Sequence, residues 1–255
     1  MCENVCTFAW VCKNVCTGAS LVCVAMCDIS VRNWSESHQK TAKNLGFKFV
    51  CVNLHLNSKN NIPQELSALP PRDEDAMVIN RVTFILQNSD NFEELETKIF
   101  PLIRARVDFF AIRPAHESQL LALLRCAHIA YDLVSFDLSS GHFFSQFGAS
   151  IKALNASENF VEIEIVSCVA HPANTISQTR AVLARVDKCV VSSGAKSVLE
   201  MRSPVDLENW AKILGLKKTK KNIQKICQKI EQNETIKRNI RRYTNTHTSE
   251  ASVHK

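Results

Sequence analysis

Nowhere in its 255 residues does the chain carry an uninterrupted apolar run long enough to cross a bilayer, so no membrane partner is expected. The N-terminal region lacks the basic start of a secretory signal and is broken by Glu3 and Lys13. There is no P-loop, no G-x-G-x-x-G and no G-x-S-x-G elbow. A metal-dependent phosphoesterase would need His and carboxylate ligands clustered at several strand ends. The first apolar segment offers Cys-Asp-Ile-Ser-Val rather than an H-x-H pair, and His55, His116, His142 and His171 each stand alone. They read as surface or hydrogen-bonded loop histidines. Catalysis by this chain alone is therefore not expected, and neither is a cofactor or metal held by the protein.

Apolar residues make up 45% of the chain and charged residues 22%, the balance of a globular protein that buries one large core. Six of the eleven cysteines fall within the first 27 residues, in the near repeat CENVCT and CKNVCT. Their spacings of three and five within apolar residues differ from those of zinc knuckles, and an odd total argues against a disulfide framework. Residues 1–25 are expected to be a Cys-rich extension or a misassigned start, with the working chain beginning at Met26. Charge is as uneven as cysteine. Residues 196–255 hold fourteen Lys/Arg against six Asp/Glu, leaving seventeen against nineteen for the rest of a chain with net charge +6.

From about residue 22 apolar runs alternate with helical patterns. Strands are predicted at 22–31, 47–52, 78–86, 109–112, 133–136, 160–166 and 188–192, and helices at 35–45, 92–105, 117–127 and 175–187. The segment 53–75 reads as a long loop. This β-α rhythm predicts an α/β fold with parallel strands, a TIM-like (β/α) barrel, regular or distorted, with a doubly wound open sheet as the runner-up. The domains expected are the extension at 1–25, the barrel at 26–215, a basic helical extension at 216–244 and a disordered tail at 245–255.

In the basic extension Lys217, Lys221, Lys225 and Lys229 fall four apart, with Leu216, Ile223, Ile226, Cys227 and Ile230 opposite. Between Lys217 and Ile230 no acidic residue offsets the stripe, which points to a polyanionic partner. A second short helix after Asn233 adds Lys237, Arg238, Arg241 and Arg242.

The stretch VVSSGAKSVLEMRSPVDLENWAKILGL, residues 190–216, runs from a buried strand through a Ser192-Ser193-Gly194 turn into a capped helix. Ser203 is placed as N-cap, Pro204 at the first helical position and Asp206 as the reciprocal partner, with Gly215 at the C-terminal stop. A strand, Ser/Gly turn and helix N-terminus can favour an anion, though on local chemistry alone an ordinary βα connection with two turn serines is the favoured reading.

This stretch resembles the signature of the TIM-barrel protein subunit of ribonuclease P and ribonuclease MRP. That family shows Ser-Ser-Gly/Ala-Ala, then Leu-Glu-Ile/Leu-Arg-Gly/Ser-Pro-Tyr-Asp, then a helix ending Leu-Gly-Leu. Here Ser192, Ser193, Gly194, Ala195, Leu199, Glu200, Arg202, Ser203, Pro204, Asp206, Leu214, Gly215 and Leu216 match. Similarity extends to MCDISV, AKNLGFKFVCVN and FVEIEI. The departures are Ser30 for a second strand-one aspartate, Leu54 for the histidine ending strand two, Ser157-Glu158 for Arg-Gly, and Val205 for tyrosine.

The resemblance implies a noncatalytic role in a nuclear and nucleolar ribonucleoprotein that removes the 5′ leader of precursor tRNA, with a sister particle acting on ribosomal RNA precursors. Catalysis would rest with the RNA and its Mg²⁺. Partners implied are the ribonuclease P or MRP RNA, precursor tRNA indirectly, and other subunits including a small RRM-like protein. Phosphate contacts are expected from Lys217, Lys218, Lys221, Lys225, Lys229, Arg238, Arg241 and Arg242, with Ser192, Ser193, Lys196 and Arg202 as a second cluster. Gly194, Glu200, Ser203, Pro204 and Asp206 are assigned structural parts, Glu200 pairing with Arg202. Two other readings stay open: a phosphoesterase on a related barrel, and a nuclear structural adaptor whose basic tail is a localisation signal.

Overall fold

The computed structural model describes residues 27–57, 62–70, 78–126, 131–139, 150–216, 221–230 and a few isolated positions such as Phe143, Phe147, Lys218 and Asn233. Residues 1–26 and the segment from 234 onward, including the extension and tail expected there, lie outside the described residues.

Seven strands form one all-parallel sheet in chain order: β1 (Cys27–Val31), β2 (Phe49–Leu56), β3 (Val78–Ile85), β4 (Phe109–Arg113), β5 (Leu133–Ser135), β6 (Phe160–Glu164) and β7 (Cys189–Ser192). A bridge between Val31 and Ala195 brings the last strand's exit back to the first, giving a nearly closed barrel. Outside the sheet lie α1 (Glu36–Asn44), α2 (Ile62–Leu66), α3 (92–106), α4 (Glu117–Arg125), α5 (Ile165–Ala170), α6 (Pro172–Leu183) and α7 (Pro204–Leu214). The expected TIM-like α/β architecture is the one observed.

Local differences have physical reasons. β2 runs on to Leu56, and α2 forms within the segment read as a loop, burying Ile62 and Leu66. β6 stops at Glu164, where α5 begins, so 165–166 are helical rather than extended. Within α3 the turn Leu95–Ile99 is π-helical: Pro101 has no N–H to give to the preceding turn, and the Phe100 amide reaches back to the Leu95 carbonyl.

Strands covered on both sides read as continuous apolar runs. One core lies between sheet and helices, where Val50, Val82, Phe84, Phe110, Ile112, Val134 and Ile163 meet Leu95, Phe100, Ile103, Leu120, Leu207, Ala211 and Leu214. The second lies inside the barrel at the start of the strands. There Cys27, Ile29, Cys51, Ile79, Phe109, Ala111, Leu133, Phe160 and Val190 are closed over by Ile226, Cys227 and Ile230 of α8, residues 221–230. The helix read as an extension thus plugs the barrel's N-terminal end. Asn222 anchors it by donating to the carbonyls of Asp187 (3.1 Å) and Cys189 (2.8 Å), and Asn233 donates to the Asp108 carbonyl at 3.2 Å.

Ile226 is fully buried in this plug. Ile226→Ala is expected to cost about 2–5 kcal/mol in urea unfolding, whereas Lys225→Ala on the exposed face should stay within about 0.5 kcal/mol.

Candidate functional site

Side chains alternate along a strand, so each strand that seats an apolar residue in the barrel floor sends its i+2 neighbour into the barrel one layer higher. Cys51 is followed by Asn53 and His55, Ile79 by Arg81 and Thr83, and Phe160 by Glu162 and Glu164. Ala111 is followed by Arg113, Leu133 by Ser135 and Val190 by Ser192. On β1 the register against β2 shifts between Asp28 and Val31, an irregularity that lets Ser30 join the same layer.

The middle layer is one connected network. Fully buried Arg81 donates from Nη1 to Glu162 Oε1 and the Ile29 carbonyl, both at 2.6 Å, and from Nη2 to Glu162 Oε2 and Thr83 Oγ1. Thr83 donates to Asn53 Oδ1 (2.9 Å), Asn53 Nδ2 to Ser30 Oγ (3.0 Å), and Ser30 Oγ to Glu164 Oε1 (3.1 Å). Ser192 Oγ donates to Glu162 Oε1 at 2.8 Å. Burial alone would discharge Arg81, but the Glu162 carboxylate outweighs it and holds the guanidinium charged.

At the mouth Glu164 accepts from Arg32 Nη2 at 2.6 and 2.7 Å and from Arg113 at 3.2 Å, while Arg113 also donates to Ser135. Burial pushes this carboxyl up, yet Arg113 and Arg32 prevail and bring it down to about 2. Burial, and then the same two arginines, depress His55 to about 3, so its imidazole is neutral at neutral pH.

These shifts fix a pH dependence. The unfolded chain binds a proton at His55 near pH 6.5 that the folded chain refuses until about 3, so this group's stabilisation is lost as pH falls through that window. Asp28 acts oppositely: burial raises it to about 6 against hydrogen bonds from Ser193 and Ser30, and its contribution is lost as pH rises through 6. His55→Gln should therefore flatten the loss of stability below pH 6.5 by up to about 1.4 kcal/mol per pH unit, read from urea midpoints at pH 7, 6 and 5. An unaltered pH profile would contradict the assignment.

The β7 exit forms the barrel seam. Asp28 Oδ1 accepts from the amides of Ser30 (3.2 Å) and Ser193 (3.1 Å), Ser193 Oγ donates to the Ser30 carbonyl (3.2 Å), and the Arg32 amide donates to the Ala195 carbonyl (2.7 Å). Gly194 has φ +63, and a Cβ there would stand 2.9 Å from both Glu164 Cβ and Val166 Cγ1. Only glycine fits this crossing without displacement.

Ser192 and Ser193, expected as phosphate contacts, are thus buried, and their hydroxyls serve the network and the seam. The Ser193 amide is likewise already given to Asp28. The α7 N-terminus is closed by its own capping box, Ser203 Oγ accepting from the Asp206 amide while Asp206 accepts from the Ser203 amide. Ser203, Pro204, Asp206 and Gly215 stand as expected, Gly215 at φ +98. The expected Glu200–Arg202 pair is not formed: Glu200 accepts from the Lys196 amide (2.6 Å), and Arg202 donates to the carbonyls of Leu199 and Met201.

Lys196 is exposed and Arg202 half-buried at the C-terminal end of the barrel. Lys221 and Lys225 are exposed at the opposite end, on α8, so the two expected basic clusters do not converge. Lys229 and Lys218 are partly committed, to Asp132 at 3.4 Å and Asp187 at 3.7 Å. Lys217, Arg238, Arg241 and Arg242 lie outside the described residues. Among the described residues no group of three or more His, Cys, Asp or Glu side chains could hold a metal ion.

The family model described as RNase P subunit p30 matches residues 25–239. No curated protein matches. Among solved structures, the chain is similar to one in the cryo-EM structure of archaeal ribonuclease P with mature tRNA. There the TM-score is 0.61 at 14% identity, over 85% of this chain and 93% of that one. It is also similar to histidinol phosphate phosphatase of Lactococcus lactis, whose structure is complexed with zinc, L-histidinol and phosphate, at TM-score 0.48 and 13% identity, over 76% of this chain and 95% of that one.

Proposed function

The chain belongs to the RNase P subunit p30 family, and from that membership we propose that it is a noncatalytic, RNA-contacting subunit of a ribonuclease P particle maturing tRNA 5′ ends. The observation that carries the reading is the family match across nearly the whole barrel and its plug. The archaeal ribonuclease P structure, which shares the fold, contains mature tRNA and supports RNA and fellow subunits as surroundings.

The physical task follows from where charge is spent. Inside the barrel Arg81 is paired with Glu162, and Arg32 and Arg113 share the Glu164 carboxylate, whereas Lys221 and Lys225 project from α8 into solvent. Such lysines hold phosphates by charge and shape, without reading bases. Hydrolysis belongs, in this reading, to the particle's RNA with its Mg²⁺, and the barrel positions that RNA and docks neighbours, a small RRM-like subunit among them. A part in the sister MRP particle, and residence in the nucleus and nucleolus, complete the proposal. Depleting the chain from its cells should accumulate tRNAs that keep their 5′ leaders, reversed by the wild-type gene. Unchanged leader removal after depletion would refute the ribonuclease P role, and unchanged ribosomal RNA precursors would refute the MRP role.

A further inference from the structure

At the C-terminal mouth a cavity of about 530 Å³ opens between the β1–α1 connection, the end of β2 and residues 68–70 after α2, with Arg32, Asn33, Trp34, Asn53 and His55 in its wall. Its size suits a small organic ligand. Three independent features mark it.

The first is charge. Arg32 and Arg113 converge on the single carboxylate of Glu164 and His55 is neutral, so this corner carries one positive charge in excess. The Nε–H of each arginine has no hydrogen-bond partner among the described residues. The second is backbone strain. Asn33, at φ 51, is the one non-glycine residue with positive φ among the described residues, and it sits in the cavity wall with Nδ2 3.4 Å from the Lys196 carbonyl. The third is a flat apolar side, where half-buried Trp34 stands with Leu69 and Pro70. The Asn53 amide lies 3.2 Å from His55 Nε2, which makes that nitrogen the acceptor and leaves the ring proton on Nδ1.

We propose that this cavity binds one nucleotide, its phosphate against Arg32 and its base against Trp34, supplied either as a free mononucleotide or as one residue of single-stranded RNA. A guanidinium complements a phosphate with directed donors, and an indole face offers a base a sequence-tolerant stacking surface. The site is independent of α8, which closes the other end of the barrel, so its failure would leave the family-based reading untouched.

The test is calorimetric titration of the full chain with uridine or adenosine 5′-monophosphate, a single-stranded RNA tetranucleotide, ribose 5-phosphate and inorganic phosphate. The same titrations are run on Arg32→Lys, which keeps the charge but loses the fork, and on Trp34→Leu, with melting curves to verify folding. Saturable nucleotide binding weakened about tenfold or more in both variants is expected. Tighter binding of the mononucleotide would identify a free ligand, and tighter binding of the tetranucleotide an RNA segment. Three results would overturn the proposal: no binding to a folded chain, ribose 5-phosphate binding as well as the nucleotides, or nucleotide binding indifferent to both substitutions.

Discussion

Glu162→Gln is expected to destabilise the fold by about 3–5 kcal/mol, because it strands the Arg81 guanidinium, a full charge with no access to water, inside the barrel. Both partners are fully buried, and Glu162 Oε1 also receives the Ser192 hydroxyl, so an amide that keeps its oxygen there must turn its NH2 donors against Arg81 Nη2. Arg81→Met should cost a similar amount by leaving the buried carboxylate without its counter-charge, with only the Ser192 hydroxyl still donating to it. The double variant Arg81→Met with Glu162→Leu removes both charges and should lose less than the sum of the singles. Some cost remains, since the Ile29 carbonyl and the Ser192 hydroxyl lose their partner. Urea unfolding of the four proteins closes the cycle. Additive losses would contradict the pairing.

Replacing Lys221 and Lys225 together with Gln should weaken binding to the particle's RNA and lower the slope of log affinity against log salt by about 0.7–0.9 for each phosphate contact removed. Thermal stability should be unchanged, because both ammonium groups are in water while the plug is held by Ile226, Cys227 and Ile230. Adding Lys229→Gln should extend the loss of RNA binding and cost up to about 1 kcal/mol of stability through its contact with Asp132. Lys212→Gln on α7, where the lysine pairs with Glu208 at 2.9 Å, serves as the control and should leave binding unaltered. Equal salt slopes in wild type and double variant would remove α8 from the RNA interface.

The parallel strands were legible because burial on both faces writes them as apolar runs, and α7 because its Ser203, Pro204, Asp206 and Gly215 carry cap chemistry in local sequence. The interior network was not. Its members sit two apart on strands distant in sequence, such as Arg81 and Glu162, and the signal that reveals them is a charged residue at the inward i+2 position of an otherwise apolar strand. His55 stands alone in the sequence; the barrel brings it beside Arg32, as it brings Asp28 beside Ser193. The lysine stripe of α8 was readable from its spacing, but its apolar face gave no indication of which surface it covers. That surface is the barrel floor, formed by residues 27–190, a contact set by tertiary closure and not by local pattern.

The most direct measurement is purification of the tagged chain from its own cells, with sequencing of the RNA that accompanies it and an assay of the eluate on precursor tRNA. One structured noncoding RNA, enriched together with 5′ leader-cleaving activity that nuclease treatment abolishes, is the predicted result. A folded chain that brings down neither that RNA nor the activity at low salt would contradict the account.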